Sequence, residues 1–122
     1  MKFKIAHSSK NVFDLKKSVA FYEKALDFKE TRRIDPGDGS FLIIFMGDGT
    51  SGTEVELTWS ADHSDRPYDL GENEQHLAVT TEDYAGAHAL HEQMGVVCYE
   101  NREMGLYFIN DPDGYWIEIL PA

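Results

Sequence analysis

The chain has 122 residues, with 22 acidic against 11 basic side chains and a formal net charge of −11. This length suits one domain, and the charge repels nucleic-acid phosphates, so we expect no nucleic-acid partner. Cys98 is the only cysteine, which excludes an internal disulfide and a thiolate metal cluster. The N-terminus lacks a secretory apolar run and no apolar stretch is long enough to cross a bilayer, so we expect no membrane partner and a cytoplasmic location.

The first half of the chain has the pattern of a strand, a helix and three strands. The first predicted strand contains His7, and the other three cover residues 29–34, 41–47 and 54–59. The predicted helix covers residues 15–26. Asp14 precedes the helix, where its carboxylate can accept backbone N–H groups of the first turn. The predicted buried stripe of the helix is Leu15, Val19, Tyr22 and Leu26, which recur at helical spacing.

The second half repeats this pattern. Its strands are predicted around His76 and over residues 97–102, 106–109 and 115–120, and its helix over residues 84–94. His76 precedes Asp83 by seven residues, as His7 precedes Asp14. Gly95 supplies the helix stop, although Gly86 inside the helix weakens this prediction. The predicted buried stripe is Ala87, Leu90, His91 and Met94.

The repeat predicts an α+β fold built from two βαβββ modules in a single domain over residues 1–122. The modules cover about residues 1–60 and 74–122, joined by a polar linker over about 60–73. Neither module is long enough to be stable alone. We therefore expect the two modules to share one continuous, curved mixed sheet with the helices on its outer face.

A glutamate stands between two apolar residues in the last strand of each module, in Val55-Glu56-Leu57 and in Ile117-Glu118-Ile119. Because strand side chains alternate between faces, both carboxylates point away from the side that packs under the helix, and His76 does the same. His7 is less regular, since Phe3 and Ile5 share its face; an apolar pocket floor or a bulge would accommodate this. Two nitrogen and two oxygen donors suit a divalent ion with open positions.

The chain carries a set of motifs with these four residues at their centre. They are His7 with Val12, Asp14, Leu15, Ser18, Phe21 and Tyr22; Val55-Glu56-Leu57-Thr58; His76-Leu77-Ala78-Val79; and Asp111-Pro112-Asp113-Gly114-Tyr115 followed by Ile117-Glu118. In these motifs the chain resembles a lactoylglutathione lyase (glyoxalase I) of the vicinal oxygen chelate superfamily, of the short-loop bacterial type, over nearly its whole length.

The resemblance implies a metal site and an assembly. The metal ligands it implies are His7, Glu56, His76 and Glu118, holding one divalent ion per site, with nickel or cobalt favoured and zinc as the alternative. It also implies a homodimer, and in many family members the metal sites are built from both subunits.

The reaction implied is conversion of the hemithioacetal of methylglyoxal and a low-molecular-weight thiol, glutathione foremost, to the lactoyl thioester through an enediolate. Glu118 is then the leading base and Glu56 the second candidate, for proton delivery. Asn11 and Ser60 stand where glutathione-using members commonly carry an arginine and an asparagine. The family's basic loop is also shortened, with Arg102 the nearest cation, so a different thiol remains open.

Other functions of the same superfamily fit these residues less well. An acyl-CoA epimerase typically has glutamine at the position of Glu56, and dioxygenases or fosfomycin-modifying transferases need only two histidines and one glutamate. A metal-free protein that sequesters a small molecule, of the antibiotic-resistance type, lacks the four ligands altogether.

Five further side chains have local interpretations. His88 and His91 have a spacing that can hold a metal, with Glu92 following, but we interpret His91 as packing at the helix interface. Cys98 is predicted to be a small buried residue. Trp116 shares a face with Glu118 and is a candidate wall of the pocket.

Overall fold

A computed structural model describes all 122 residues, which fall into two compact units, Met1–Tyr68 and Asp69–Ala122. Unit 1 contains β1 (His7–Asn11), α1 (Leu15–Leu26), β2 (Lys29–Ile34), β3 (Phe41–Gly47) and β4 (Glu54–Ser60), followed by a 3-10 turn (Ala61–His63). Unit 2 contains β5 (Leu77–Thr81), α2 (Tyr84–Met94), β6 (Val97–Asn101), β7 (Leu106–Asn110) and β8 (Trp116–Pro121). Both helices have the predicted bounds. Neither is long and apolar enough to cross a membrane.

Each unit forms a mixed sheet of four strands, in the orders β1-β4-β3-β2 and β5-β8-β7-β6. The first strand of each unit runs parallel to the last, and the other pairs are antiparallel. The two βαβββ modules are confirmed. The prediction of one continuous sheet is wrong, because strands form hydrogen-bonded pairs only with strands of their own unit. The register shifts at related places, between Glu30 and Arg32 in β2 and between Val97 and Tyr99 in β6.

The buried face of α1 differs from the predicted stripe, whereas the stripe of α2 is buried or partly covered as predicted. In α1 the buried residues are Ser18, Phe21, Tyr22 and Ala25, whereas Leu15, Val19 and Leu26 are only partly covered. Small Ser18 and Ala25 let the helix approach the sheet closely, which turns the larger aliphatic residues to the flanks. In α2 the buried residue is His91, and its Nδ1 lies 2.8 Å from the hydroxyl of buried Tyr107. The predicted packing of His91 is therefore confirmed.

Cys98 is exposed, so its predicted burial is wrong. It is the extra residue at the register shift of β6, and β6 is an edge strand. A bulged residue leaves the regular alternation of the strand, which is why the apolar neighbours of Cys98 gave a misleading prediction.

Both helices begin at an aspartate cap, as predicted. Asp14 accepts a hydrogen bond from the Lys17 backbone N–H at 3.1 Å, and Asp83 accepts one from the Gly86 N–H at 3.0 Å. A Cβ on Gly86 would lie 2.2 Å from an oxygen of the Asp83 side chain, so the glycine makes room for the cap. Gly95 ends α2 in the left-handed region at φ 71°.

Removing either cap should cost a similar amount of stability. We expect Asp14→Ala and Asp83→Ala each to lower the free energy of unfolding by about 1 kcal/mol, because each exposes an unpaired N–H in the first turn. Urea unfolding followed by far-ultraviolet circular dichroism measures this. Asp65→Ala, which removes an exposed carboxylate outside the helices, should change the value by less than about 0.5 kcal/mol. Equal losses in all three variants would contradict the capping role.

Candidate metal centre

His7 and Glu56 form a close pair in unit 1. His7 begins β1, and Glu56 lies in β4, the strand parallel to it. The Nε2 atom of His7 is 2.8 Å from Oε2 of Glu56, and Oε1 of Glu56 accepts a hydrogen bond from the Thr58 hydroxyl at 3.0 Å. The His7 ring meets Phe45 edge-on, with 5.4 Å between ring centres. Both oxygens of Glu56 therefore have a neighbour within the unit.

The irregular alternation around His7 has a simple origin. β1 starts at His7, so Phe3 and Ile5 lie ahead of the strand, with 91% and 76% of their surfaces exposed. They do not line the pair. The apolar floor under the imidazole is Phe45 of β3, which is paired in register with Glu56.

His76 and Glu118 form the equivalent pair in unit 2. The Nε2 atom of His76 is 3.1 Å from Oε1 of Glu118, and the imidazole meets Phe108 edge-on at 5.0 Å between ring centres. Phe108 is paired in register with Glu118, as Phe45 is with Glu56. Nothing corresponds to Thr58, because the position two residues beyond Glu118 is Leu120. Oε2 of Glu118 consequently accepts no hydrogen bond.

The geometry of each pair fits two neighbouring ligands of one divalent ion. Ligand atoms about 2.1 Å from a metal and at right angles to one another lie about 3.0 Å apart. The observed separations are 2.8 and 3.1 Å. Both imidazoles are 37% exposed, so an ion can reach them, while the glutamate side chains are 16% and 18% exposed and held in place. Imidazole nitrogen and carboxylate oxygen are donors that nickel, cobalt and zinc accept.

The flanks of the two pairs differ in character. In unit 1 the guanidinium of Arg32 lies over the Phe45 ring, 3.6 Å from its centre, and binds Glu54 at 3.1 Å. The Thr31 hydroxyl donates to the other oxygen of Glu54. Hydrogen bonds from Thr31 and then from Arg32 hold the pKa of Glu54 below its ordinary value.

Unit 2 has aromatic rings at these places. Tyr99 pairs in register with Phe108 as Arg32 does with Phe45, and Trp116 stands two residues before Glu118 as Glu54 does before Glu56. The Trp116 ring is 5.1 Å from that of Phe108 and 6.2 Å from that of Tyr99. Trp116 thus joins an aromatic wall on the face that carries Glu118, as the strand alternation predicted.

Charge is distributed unevenly between the units. The acidic residues divide equally, eleven in each, whereas ten of the eleven basic residues lie in unit 1. Arg102 is the exception. Its side chain is 91% exposed and its nearest carboxylate is that of Glu100, at 4.0 Å. Glu100 in turn contacts His88 of α2.

A second set of donor atoms lies on the helix side of unit 2. Donor atoms of His88, Glu92 and Glu100 are within 4.8 Å of one another, and the imidazole contacts both carboxylates. The sequence had suggested His91 as the neighbour of His88, but His91 turns inward to Tyr107. Glu100 was missed because it comes from β6. The contacts within this set are those of an exposed histidine bridging two carboxylates.

A groove of about 970 Å³ in unit 1 also lies on the helix side. It is lined by residues of α1 and of β3, together with Arg33 and Trp59. Neither His7 nor Glu56 lines it. The groove is therefore separate from the candidate metal centre.

The two positions at which the sequence departs from glutathione-using enzymes end their strands. Asn11 is the last residue of β1 and Ser60 the last of β4. The Ser60 hydroxyl accepts a hydrogen bond from the Asp62 backbone N–H at 3.3 Å and caps the 3-10 turn. Ser60 thus has a local structural role.

Known proteins are similar in sequence to this chain over nearly its whole length. Residues 4–119 match the Glyoxalase/Bleomycin resistance protein/Dioxygenase superfamily. A lactoylglutathione lyase of Neisseria meningitidis is 37% identical over 125 residues, which cover 96% of this chain and 89% of that protein. One of Pseudomonas aeruginosa is 30% identical over 143 residues, covering 95% and 81%.

Solved structures show the same fold. The trypanothione-dependent glyoxalase I of Leishmania major superposes with a TM-score of 0.87 and 31% identity, covering 98% of this chain and 87% of that one. A fosfomycin resistance protein from Listeria monocytogenes gives a TM-score of 0.78 at 18% identity. At that identity the likeness concerns the fold alone.

Proposed function

Because the chain belongs to the Glyoxalase/Bleomycin resistance protein/Dioxygenase superfamily, we propose that it is a metal-dependent enzyme that isomerises the hemithioacetal of methylglyoxal and a low-molecular-weight thiol to the lactoyl thioester. The observation that carries the proposal is the pair of histidine–glutamate contacts at related positions of the two units. The names of the curated relatives support the reaction, and glutathione is the thiol we propose.

The proposed ligands are His7, Glu56, His76 and Glu118, with nickel or cobalt as the ion and zinc as the alternative. The donor set of two imidazoles and two carboxylates supports this choice. When bound, the divalent ion stabilises negative charge that develops on the two neighbouring oxygens of the substrate. We also propose that the active form is a homodimer, as the family implies.

Glu118 is the proposed base. The proton to be removed is on the carbon that carries sulfur. Oε2 of Glu118 accepts no hydrogen bond and can take up this proton. Glu56 has both oxygens engaged, by His7 and by Thr58. We therefore assign proton removal to Glu118 and delivery of a proton to the neighbouring carbon to Glu56.

The proposed reaction balances without an oxidant or reductant. The sulfur-bearing carbon loses its hydrogen as a proton and becomes the thioester carbonyl carbon. The former carbonyl carbon gains a proton and becomes the carbon of the hydroxyl group, and the hydroxyl proton passes to the former carbonyl oxygen. The two carboxylates need only exchange protons with the substrate and with water, which matches a site built from glutamates.

Metal reconstitution tests this function. Metal-stripped protein is loaded separately with nickel, cobalt and zinc and mixed with preformed methylglyoxal–glutathione hemithioacetal, and thioester formation is followed by absorbance. We expect activity with nickel or cobalt to exceed that of stripped protein by at least about 100-fold, since charge stabilisation by the ion contributes several kcal/mol.

The helix-side histidine supplies the control. His88→Gln should keep the activity and the metal stoichiometry, because His88 lies on the helix side of its own sheet, opposite the face that carries Glu118. Stoichiometric binding of every metal without turnover would contradict glutathione as the thiol and point to another thiol or to the acyl-CoA epimerase alternative.

A further inference from the structure

Arg32 is a cation fixed on the same face of unit 1 as the His7–Glu56 pair. Its register partner is Phe45, whose own partner is Glu56, so the three side chains lie in a row across β2, β3 and β4. Phe45 is also the ring that supports His7. The guanidinium is therefore one aromatic ring away from the proposed metal ligand.

The position of the guanidinium is set from two sides. It stacks on Phe45 at 3.6 Å, and its Nε and Nη2 donate to one oxygen of Glu54 at 3.3 and 3.1 Å. A guanidinium has five N–H donors, so three remain for another acceptor. The side chain is 52% exposed, and those donors can be reached from solvent. A preoriented planar fork of this kind suits a carboxylate.

The fold itself does not require this cation. Unit 2 builds the same strands, with the register shift at the related place, and has Tyr99 and Trp116 where unit 1 has Arg32 and Glu54. Because the fold forms without this ion pair in unit 2, we look to function for the role of the pair in unit 1.

The substrate supplies such a role. Glutathione carries two carboxylates, and a protein with a net charge of −11 disfavours anions unless a local cation compensates. The one basic residue of unit 2, Arg102, is 91% exposed and approaches a carboxylate only to 4.0 Å, so no close contact fixes it in place.

We propose that Arg32 binds a carboxylate of the thiol portion of the substrate and so determines thiol specificity. This inference rests on the proposed function. Glu54 takes up two of the five donors of Arg32 and leaves the other three for the ligand.

The test is a binding cycle that needs no turnover. The non-reactive thioether S-methylglutathione is titrated calorimetrically into metal-loaded protein, beside two S-methyl ligands that each lack one carboxylate. The C-terminal amide of γ-glutamylcysteine lacks the glycine carboxylate, and cysteinylglycine lacks the γ-glutamyl carboxylate. We expect Arg32→Met to weaken S-methylglutathione about 10- to 100-fold, as loss of a charged hydrogen-bond pair does. It should leave one truncated ligand almost unaffected, which identifies the carboxylate that Arg32 contacts.

Matched variants separate recognition from structure. Arg33→Met, next in sequence and paired with Glu30, should change binding less than about twofold, the effect of an exposed ion pair. Arg32→Lys, which keeps the charge without the fork, should fall between wild type and Arg32→Met. Glu54→Gln should bind S-methylglutathione at least as tightly as wild type, because Arg32 keeps its stacking and loses a competitor.

Three results would overturn the inference. One is unchanged binding in Arg32→Met, another is equal weakening of all three ligands, and the third is a loss in Glu54→Gln as large as that in Arg32→Met. Wild-type protein that turns over the hemithioacetal of another thiol but does not bind S-methylglutathione would also refute the role of Arg32, while leaving the proposed reaction in place.

Discussion

Glu118→Gln should reduce kcat by at least about 100-fold, because general-base catalysis contributes between about 100- and 10,000-fold and glutamine cannot accept the proton. The open oxygen of Glu118, with no counterpart of Thr58 beside it, carries this expectation. The measurement is initial rate at saturating nickel, with bound metal determined on the same sample. Saturating metal matters because the side chain is also a proposed ligand.

Two comparisons give this result its meaning. Glu103→Gln removes an exposed carboxylate from the same unit and should keep kcat within about twofold, as surface substitutions generally do. If Glu118→Gln regains full activity once metal is saturating, Glu118 is a ligand without a role in proton transfer, and the assignment of the base moves to Glu56.

His7→Gln and His76→Gln should each weaken metal binding by at least about 100-fold. Residues that merely support a ligand change affinity by about 10- to 100-fold, so loss of a direct nitrogen donor should cost no less. Because the two histidines face their glutamates at similar distances, 2.8 and 3.1 Å, the two losses should be comparable. Competition with a chromogenic chelator measures both affinities.

His88→Gln is again the reference, since the donor set of His88 lies on the helix side of its own sheet. A metal that is lost from His88→Gln but retained by His7→Gln and His76→Gln would place the ion in the helix-side set. A large effect in only one of His7→Gln and His76→Gln would reduce the proposed ligand set to a single unit.

Much of the fold followed from local patterns. The helix bounds were correct because capping aspartates and Gly95 act on the residues next to them. Glu56 and Glu118 stood out because a carboxylate between two buried aliphatic residues must face the other way. The repeat then associated each glutamate with a histidine. In the structure the two side chains of each pair approach within 3.1 Å of each other.

The remaining features depend on register and packing, which local patterns do not encode. Cys98 is exposed because β6 has a bulge, and Arg32 reaches Phe45 only through the related bulge in β2. The buried face of α1 turned toward Ser18 because close approach to the sheet favoured small residues. The contact between His88 and Glu100 can be predicted only when the position of edge strand β6 relative to α2 is known.

The shared cap, bulge and histidine–glutamate contact also bear on how such a chain arises. They are what duplication and fusion of one βαβββ segment would leave behind, with two donors inherited in each copy. A single copy offers only half of the proposed ligand set. Once both copies reside in one chain, the inherited donors can stay fixed while the flanking positions diverge. Arg32 with Glu54 in one copy, and Tyr99 with Trp116 in the other, are such diverged positions, as are Thr58 and Leu120.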